Sequence, residues 1–461
     1  MTFDLLSAVG GDDALAAIFT EQRAVQDWLE VEAALAHGLA KAGFIDDDRA
    51  ERIAAACHVE VIDMDRLWAE TAMVGYPIFP LIRMICDALG DQDAGFVHFG
   101  ATTQDIMDTA LALQLRDAGL RVMELLDSFG DALALLVERH EHTVMAGRTH
   151  AQQAVPTTFG AKCAGFLSEL ARHRRRLVAA VEEVATSSLY GAGGTSAALG
   201  ARAPIVRAEL SHRLRLGIAD VPWHVSRDRP AHLVLTGALI SATCVRFARE
   251  VIDLARTEVG EVAEADGVYR GASSTMPQKA NPIASELAVG FGVMAQAAAS
   301  SMFRASEAGH ERSAGEWQAE WQAVPQACVA IAGSLRAAAS VADGLRVFPD
   351  RMLTNLNLDG GRIMAEAYMI ALATQLGREH AHEAVYQAVR DSRDGGIALV
   401  DSLAQTLSPE VWLAVQPTLP RPEQYLGQTS EICASALVQW REARSGPLYY
   451  STARPSEGAH P

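Results

Sequence analysis

Residues 271–305 read Gly-Ala-Ser-Ser-Thr-Met-Pro-Gln-Lys-Ala-Asn-Pro and then Ile-Ala-Ser-Glu-Leu-Ala-Val-Gly-Phe-Gly-Val-Met-Ala-Gln-Ala-Ala-Ala-Ser-Ser-Met-Phe-Arg-Ala. The first part, residues 271–282, is small and polar and contains two prolines, which is typical of a loop. The second part repeats apolar residues at spacings of three and four, which predicts a helix over about 284–305. Its many Ala and Gly residues would allow neighbouring helices to approach closely. The stretch therefore predicts a mobile polar loop that leads into a closely packed helix.

The same helical spacing occurs over four other long segments of the chain. Several of these segments run to about 30 residues, against a usual helix length of about 11–12. Aromatic residues make up only 6% of the chain, and alternating Val/Ile/Thr runs are scarce. Long helices need neighbours along their whole length, so we predict an all-α fold with a central bundle of long helices. The four segments cover about 105–145, 158–190, 230–265 and 320–342.

Glycine and proline clusters divide the chain into three regions. With 461 residues, it exceeds the roughly 250–300 residues at which one core usually splits, so its length predicts two or three domains or one long extended domain. We predict an N-terminal helical domain over 1–104, a central bundle over 105–345 that carries the loop at 271–282, and a C-terminal helical domain over 346–461. The tail after Ser451 is polar, and we expect it to be loose.

Composition excludes several classes of protein. The chain has 39 Lys and Arg against 57 Asp and Glu, and its net charge of −18 would repel DNA and anionic membranes. We find no basic start followed by an apolar stretch and no uncharged apolar segment of about 18 residues, so we expect no secretory signal, no membrane span and a cytoplasmic location. The six cysteines form no C-x-x-C pair. The histidine pairs 140/142 and 380/382 would point to opposite helix faces, so we expect no metal site.

Two polar stretches stand out before the loop at 271–282. The first covers 98–109 and reads His-Phe-Gly-Ala-Thr-Thr-Gln-Asp-Ile-Met-Asp-Thr. It is either a simple helix cap or a site where hydroxyls and free N–H groups bind a carboxylate. The second covers 147–158 and contains His150, which is either a structural hydrogen-bonding residue or a group that handles protons near neutral pH. We expect this second stretch to lead into a helix after Pro156.

The loop itself carries the most reactive set of side chains. Ser273 and Ser274 offer hydroxyl oxygens, and Lys279 and Asn281 could stabilise a developing oxyanion. Glu286 follows within the first turn of the predicted helix. Lys and Asn between two prolines gain little from packing, so this combination favours a functional loop.

The loop closely resembles the signature loop of the fumarase/aspartase superfamily, in which a glycine and two serines precede Met-Pro-x-Lys-x-Asn-Pro. The stretches at 98–109 and 147–158 are similar to the first two shared regions of that superfamily. The resemblance covers about residues 10–445. It implies a three-domain all-α fold, a homotetramer whose active sites draw residues from three subunits, and chemistry that needs no cofactor.

The resemblance also implies a role for each motif residue. Ser273 would be the general base that removes a proton alpha to a carboxylate, and Lys279 would stabilise the resulting aci-carboxylate. His150 and Glu286 would form a pair that serves the leaving group. The residues implied in binding the carboxylates of a small di- or tricarboxylate substrate are His98, Thr102, Thr103, Thr149, Gln152, Ser274, Asn281 and Arg312.

Within the superfamily, the chain is most similar to the 3-carboxy-cis,cis-muconate cycloisomerases. Further matching stretches are 193–200, 222–229, 310–321 and 425–428. In adenylosuccinate lyases a phosphate-binding serine stands where this chain has Trp317, so we do not expect a nucleotide substrate. Tyr76, Trp223, His224 and Trp317 are candidates for the part of the cleft that contacts the leaving group.

Three functions remain open on the sequence. The presence of both His150 and Glu286 favours a lyase that cleaves a C–N bond of a substituted succinate and releases fumarate. The alternative is a muconate cycloisomerase, in which a lactone opens and closes by a related proton transfer. The remote alternative is an inactive structural homologue, which the intact Ser273 disfavours.

Overall fold

The computed structural model describes residues 4–446, and most of them are helical, as the spacing of apolar residues predicts. The predicted loose tail after Ser451 lies outside the described residues. In the N-terminal part, Asp12, Thr20, Asp46 and Asp63 each accept a backbone N–H at the start of a helix and so fix where it begins. The helices of this part are α1 Leu5–Gly10, α2 Asp13–Ile18, α3 Glu21–Lys41, α4 Asp47–Ala55, α5 Met64–Val74, α6 Ile78–Leu89 and α7 Asp91–Ala94.

The middle of the chain forms the predicted bundle of long helices. The five long helices match the five predicted segments to within a few residues at most ends, and α8 alone runs for 37 residues. Short strands β3 and β4 lie before and after helix α10 in the sequence and pair in parallel with each other. The elements are α8 Thr103–Arg139, β1 Val144–Thr149, β2 Gln152–Thr158, α9 Phe159–Val184, β3 Thr186–Ser187, α10 Ala203–Leu214, β4 Gly217–Ile218, α11 Asp228–Leu254, β5 Val262–Ala263, α12 Ile283–Ala305 and α13 Glu316–Asp343.

The C-terminal part contains shorter helices with a small core of their own and one helix that returns to the bundle. In that returning helix, α19, Trp440 donates its indole N–H to Asp131 at 2.8 Å and lies directly over Gly130 of α8. Strand β6 pairs antiparallel with β5. The elements are β6 Arg346–Val347, α14 Pro349–Leu356, α15 Ala365–Leu376, α16 Arg378–Gly395, α17 Leu399–Thr406, α18 Pro409–Val415 and α19 Thr429–Ser445.

The hydrophobic cores cross both predicted domain boundaries. One core joins α3, α4 and α6 to the start of α8 and to residues 185–216. The large bundle core includes α8, α9, α11, α12, α13 and the buried face of α19. The division at residues 104 and 345 stays a prediction, and the packing ties all three parts to α8.

Three bundle helices, α11, α12 and α13, are long and apolar enough to cross a membrane by length and composition alone. Within the fold, 61%, 39% and 67% of the most apolar 18-residue stretches of these three helices, respectively, are buried. On α12, the large side chains of Val293, Met294 and Phe303 stay exposed. This apolar face is the kind of surface that a second subunit covers, which agrees with the predicted tetramer without testing it.

The helix predicted to follow Pro156 is confirmed, since α9 starts at Phe159. The sequence did not predict that the residues before it form an antiparallel hairpin of β1 and β2. A two-residue turn, His150-Ala151, joins the strands, and φ is 50° at His150 and 62° at Ala151. Such turns normally carry Asn-Gly or Gly residues, so the sequence lacks the usual signal for this hairpin.

Candidate active site

The polar stretch at 98–109 forms the start of α8, where Thr102 is the N-cap and its backbone N–H donates to Asp105 at 3.0 Å. The cap predicted from the sequence is therefore present. The Thr102 hydroxyl also accepts a hydrogen bond of 3.1 Å from the Arg312 guanidinium, which donates to the Ala192 carbonyl at 3.3 Å as well. Within one chain, the fold thus brings together two of the residues predicted to bind carboxylate, although they are 210 positions apart.

Arg312 has donor capacity left at this position. Its Nε is buried and has no hydrogen-bond partner within residues 4–446. Thr103 begins the helix beside Thr102, where the positive end of the helix dipole attracts anions. A guanidinium, a hydroxyl and a helix N-terminus at one place form a suitable environment for a carboxylate.

Asp105 holds this corner of the site together. It is fully buried, and one carboxylate oxygen accepts from the Tyr190 N–H at 2.9 Å and lies 2.8 Å from His224 Nε2. The other oxygen accepts from the Gly191 N–H at 2.8 Å in addition to Thr102. Asp105 therefore fixes the glycine-rich turn after Tyr190 against the start of α8.

His98 lies just before this helix start and pairs with a buried carboxylate. Its Nδ1 is 2.6 Å from Glu32 Oε1, and Glu32 is almost completely buried. Burial by itself lowers the pKa of His98, but the charge and hydrogen bond of Glu32 outweigh it, so the pKa is raised above its usual value. A protonated His98 would attract an anionic substrate.

The residues of the second polar stretch lie at the tip of the hairpin formed by residues 144–158, hereafter the His150 hairpin. Thr149, His150 and Gln152 are all exposed there. Positive φ at His150 and at Ala151 costs conformational energy for residues other than glycine. The surrounding structure must therefore hold the tip in this form, and such strain is common at functional sites.

The loop at 271–282, hereafter the signature loop, is closed at its base by a hydrogen bond of 2.9 Å from the Asn281 N–H to the Gly271 carbonyl. At Gly271, φ is +68°, and a Cβ there would lie 2.4 Å from the Asn281 carbonyl oxygen, so only glycine fits. The Ser273 hydroxyl oxygen accepts from the N–H groups of Thr275 at 3.3 Å and Met276 at 3.1 Å. Two backbone donors stabilise negative charge on this oxygen, which suits the predicted general base.

Within one chain, the described residues do not bring all the predicted groups together. Between residues 4 and 446, no hydrogen bond or ion pair joins Ser273, His150 and Thr102, and none joins His150 to Glu286. Ser274, Lys279 and Glu286 are exposed. Each chain therefore presents three separate parts of a site, and the predicted sharing of active sites between subunits stays a prediction.

The comparisons with known proteins show the family of this chain. The family described as Lyase matches residues 8–297. The chain belongs to this lyase family. It is 39% identical to a 3-carboxy-cis,cis-muconate cycloisomerase of Pseudomonas aeruginosa, over 92% of this chain and 93% of the relative. It is also 33% identical to an N-acetyl-S-(2-succino)cysteine lyase of Dickeya dadantii, over 82% of this chain and 83% of the relative.

A solved structure shows the same fold. The 3-carboxy-cis,cis-muconate lactonizing enzyme from Pseudomonas putida superposes with a TM-score of 0.87 at 34% identity, over 96% of this chain and 100% of that one. The chain is thus an enzyme of the fumarase/aspartase superfamily with its all-α fold, as the signature loop indicates. The names of these relatives include both a cycloisomerase and a lyase.

In this lyase-family chain, the four candidates for contacts with the leaving group have different roles. Trp223 and His224 are each only 3% exposed, and Trp223 donates to the Ser187 carbonyl at 3.1 Å. They support the Asp105 corner from behind and present little surface to a ligand. Tyr76 stacks on Trp317 at 5.9 Å between ring centroids, and Trp317 is buried too. Among the four, Tyr76 alone is partly exposed.

A buried ion triad behind the site was not foreseen in the sequence. Arg227 is almost fully buried and donates to Glu320 at 2.8 and 2.6 Å and to Asp108 at 2.9 Å. Burial raises the pKa of Asp108 to about 6, against the opposing effect of Arg227. The triad fixes the starts of α8, α11 and α13 relative to one another. No local sequence pattern predicts the triad, since Glu320 and Asp108 lie 93 and 119 positions from Arg227.

Two buried carboxylates that flank β5 were also not predicted from the sequence. Glu261 forms a bidentate ion pair with Arg148 of the His150 hairpin. Glu264 accepts backbone N–H groups at the start of α12, where the signature loop ends. The sequence around Glu261 and Glu264 contains no motif, and only their burial distinguishes them from other acidic residues.

No metal site is visible in the chain from residue 4 to residue 446, where no three His, Cys, Asp or Glu side chains are grouped suitably. The cysteines at 57, 86, 163, 244, 328 and 433 are free thiols. The expectation that the chemistry needs no cofactor stays a prediction.

Proposed function

We propose that this enzyme is a 3-carboxy-cis,cis-muconate cycloisomerase. The observation that carries the proposal is the similarity, over more than nine-tenths of the chain, to a relative and a solved structure named for that reaction. The sequence alone favoured a C–N lyase, and the comparisons support the alternative better. The carboxylate-binding corner at Thr102 and Arg312 suits a polycarboxylate of this kind.

The reaction adds one carboxylate oxygen and one proton across a carbon–carbon double bond of the same molecule. A C–O bond forms at one carbon, and the electron pair of the double bond moves toward the carbon next to a second carboxylate. That carboxylate holds the charge as an aci-carboxylate until the carbon takes a proton. In the reverse direction the proton leaves and the C–O bond breaks, so ring closure takes up one proton and ring opening releases it.

Ser273 is the proposed proton carrier for this step. Its oxygen accepts two backbone N–H groups, which stabilise it when it has lost its proton. Lys279 and Asn281 lie on the same loop and would stabilise the aci-carboxylate. Closure of the loop over the substrate would exclude water and strengthen these interactions.

The remaining carboxylates of the substrate need fixed cationic and hydroxyl partners. Arg312 and Thr102 form one such pair at the start of α8, with Thr103 beside them. His98 adds positive charge when it is protonated, which Glu32 favours. These groups orient the substrate, while the signature loop supplies the proton.

A second candidate function rests on His150 and Glu286. A carboxylate that leaves from a lactone is a weak base and departs without a proton, whereas an amine or thiolate leaving group gains from an acid. The chain has both residues of the predicted pair, and one relative is named as a lyase of an S-(2-succino)cysteine. This candidate is elimination from an N- or S-substituted succinate, in which the leaving group takes up a proton and fumarate is released.

One experiment separates the candidates. The purified enzyme is incubated with 3-carboxy-cis,cis-muconate and, separately, with aspartate, an N-(2-succino) amine and an S-(2-succino) thiol. Loss of the diene absorbance without fumarate from the other substrates is the expected result. Fumarate from a substituted succinate, with no turnover of the muconate, would overturn the proposal and support the second candidate. No turnover of any substrate would favour an inactive homologue and remove both.

A further inference from the structure

Two buried carboxylates at the ends of one short strand contact the two segments that carry His150 and Ser273. Glu261 immediately precedes β5 and is fully buried, and Glu264 immediately follows it and is 8% exposed. A buried carboxylate is costly unless it is paired and hydrogen-bonded. Both are fully engaged, so their partners show what they stabilise.

Glu261 holds the first strand of the His150 hairpin. Arg148 donates to its two oxygens at 2.9 and 2.5 Å, and Asn355 donates its side-chain N–H to the same carboxylate at 2.8 Å. A bidentate arginine–carboxylate pair fixes orientation as well as distance. Arg148 lies two residues before His150, so this pair sets the direction of the hairpin tip.

The second strand is held at the same level. Gln153 faces Arg148 across the hairpin, next to an irregularity in the strand register. It donates to the Asn355 carbonyl at 2.7 Å, and Asn355 in turn contacts Glu261. Both strands are therefore anchored just below the turn, which explains how a turn with two unfavourable φ values is maintained.

Glu264 holds the exit of the signature loop. One of its oxygens accepts from the N–H and the hydroxyl of Ser285, each at 2.7 Å, and the other accepts from the Ala284 N–H at 3.1 Å. These donors belong to the first turn of α12, where a negative charge also stabilises the helix dipole. Glu264 thus fixes the end of the loop, and it places the next residue, Glu286, in the first helical turn.

The geometry points to Glu261 and Glu264 as positioning residues that set the His150 hairpin and the signature loop from one common strand. The chemical role of Ser273 rests on the proposed function and that of His150 on the second candidate function, but the anchoring of their segments rests on neither. Because β5 joins the two anchors and pairs with β6, the two segments share one support. Neither carboxylate touches Thr102 or Arg312, so substrate binding there is independent of them.

The test compares Glu261→Gln and Glu264→Gln with Asp127→Asn. Asp127 is a suitable control because it is also a buried carboxylate paired with arginines, Arg174 at 2.7 Å and Arg444 at 2.5 Å, but it joins α8 to α9 and α19 away from these segments. Gln153→Ala is a milder variant, since it removes one neutral hydrogen bond at the hairpin. All four are studied as the full-length protein.

The first measurement is hydrogen–deuterium exchange, which needs no knowledge of the substrate. Glu261→Gln should speed exchange in the hairpin peptides, Gln153→Ala should do so to a smaller extent, and Glu264→Gln should speed exchange over 271–286. Asp127→Asn should leave both segments unchanged. If the two carboxylate variants exchange like the wild type in these segments, the positioning inference is wrong, whatever the substrate proves to be.

The second measurement is steady-state kinetics with whichever substrate is turned over. The two carboxylate variants should lose on the order of 10- to 100-fold in kcat. Their KM should change less than their kcat, because the interactions at Thr102 and Arg312 are intact. In a variant cycle, Ser273→Ala should cost much less in the Glu264→Gln protein than in the wild type. Full additivity of the two effects, or an equal kcat loss in Asp127→Asn, would reduce the two carboxylates to a general stabilising role.

Discussion

Replacing Arg227 by Met tests whether the buried triad stabilises the fold in the way its geometry implies. The change removes the cation between Asp108 and Glu320, with little change in side-chain volume. Both carboxylates stay almost fully buried, and Asp108 Oδ1 already lacks a hydrogen-bond partner within residues 4–446. Removing one member of a buried ion pair typically costs about 3–5 kcal/mol. We expect the free energy of unfolding to fall by about 5 kcal/mol, since two carboxylates lose their partner.

The loss should depend on pH with a defined sign. Burial already raises the pKa of Asp108 to about 6, and removal of Arg227 would raise it further. A carboxyl group whose pKa is higher in the folded state favours folding at low pH, and this contribution is lost as the pH rises through the folded pKa. The Arg227→Met protein should therefore be closest to the wild type at pH 5 and furthest from it at pH 8.

The assay is urea denaturation followed by circular dichroism at pH 5, 7 and 8, at one fixed protein concentration. Arg246→Met is the matched control, because Arg246 lies on α11 in an exposed pair with Glu169. Exposed pairs contribute only about 0–1 kcal/mol, so the control should unfold nearly like the wild type. A loss of less than about 1 kcal/mol in Arg227→Met at pH 8, or a loss that is the same at every pH, would refute this account of the triad.

Three further predictions concern the site and the packing of the C-terminal helix. Ser273→Ala should lower kcat by about 10²- to 10⁴-fold without changing the oligomeric state, as measured by kinetics and by size-exclusion chromatography with light scattering. Since the pKa of His98 is raised, KM should increase as the pH rises through that pKa, and Glu32→Gln should move the increase to lower pH, as measured by KM–pH profiles. Gly130→Ala should destabilise the protein by about 1–3 kcal/mol in thermal or urea unfolding, because its Cβ would lie 2.1 Å from the Trp440 ring.

Each of these predictions has an outcome that contradicts it. Retention of wild-type turnover by Ser273→Ala would remove that residue from its role. A KM–pH profile that is identical in Glu32→Gln would mean that His98 does not contribute charge to binding. The control for Gly130→Ala is Gly165→Ala on α9, where an added Cβ would meet no atom within 4 Å. That substitution should stabilise the protein by about 0.5–1 kcal/mol. Equal effects of the two glycine substitutions would show that Trp440 yields to the added methyl group.

The helices could be predicted from the sequence because their signal is local. Apolar spacing placed the long helices of the bundle, and a run of polar residues located the start of α8 at Thr102 and Thr103. The signature loop was recognised for the same reason, since its residues from Gly271 to Asn281 are contiguous. In each case the information lies within one segment.

The His150 hairpin and the buried carboxylates could not be predicted, for two different reasons. The turn at His150 and Ala151 uses residues that rarely adopt positive φ, so no turn signal exists in the sequence. The pairing of Arg148 with Glu261 depends on a contact across 113 positions, which no local pattern encodes. The sequence suggested that Trp223 lines the cleft, but its side chain is buried. This burial depends on packing between distant segments, which the sequence does not show.

The hydrogen-bond partners of Asp105 limit how the start of α8 can be redesigned. Its two oxygens are shared among donors at 102, 190, 191 and 224, so the region around residues 98–109 is only one third of a unit assembled from distant parts of the chain. Transplanting that region alone from a relative of different specificity would leave a carboxylate facing ill-matched donors. A working chimera would have to exchange residues 188–196 and 222–224 together with it.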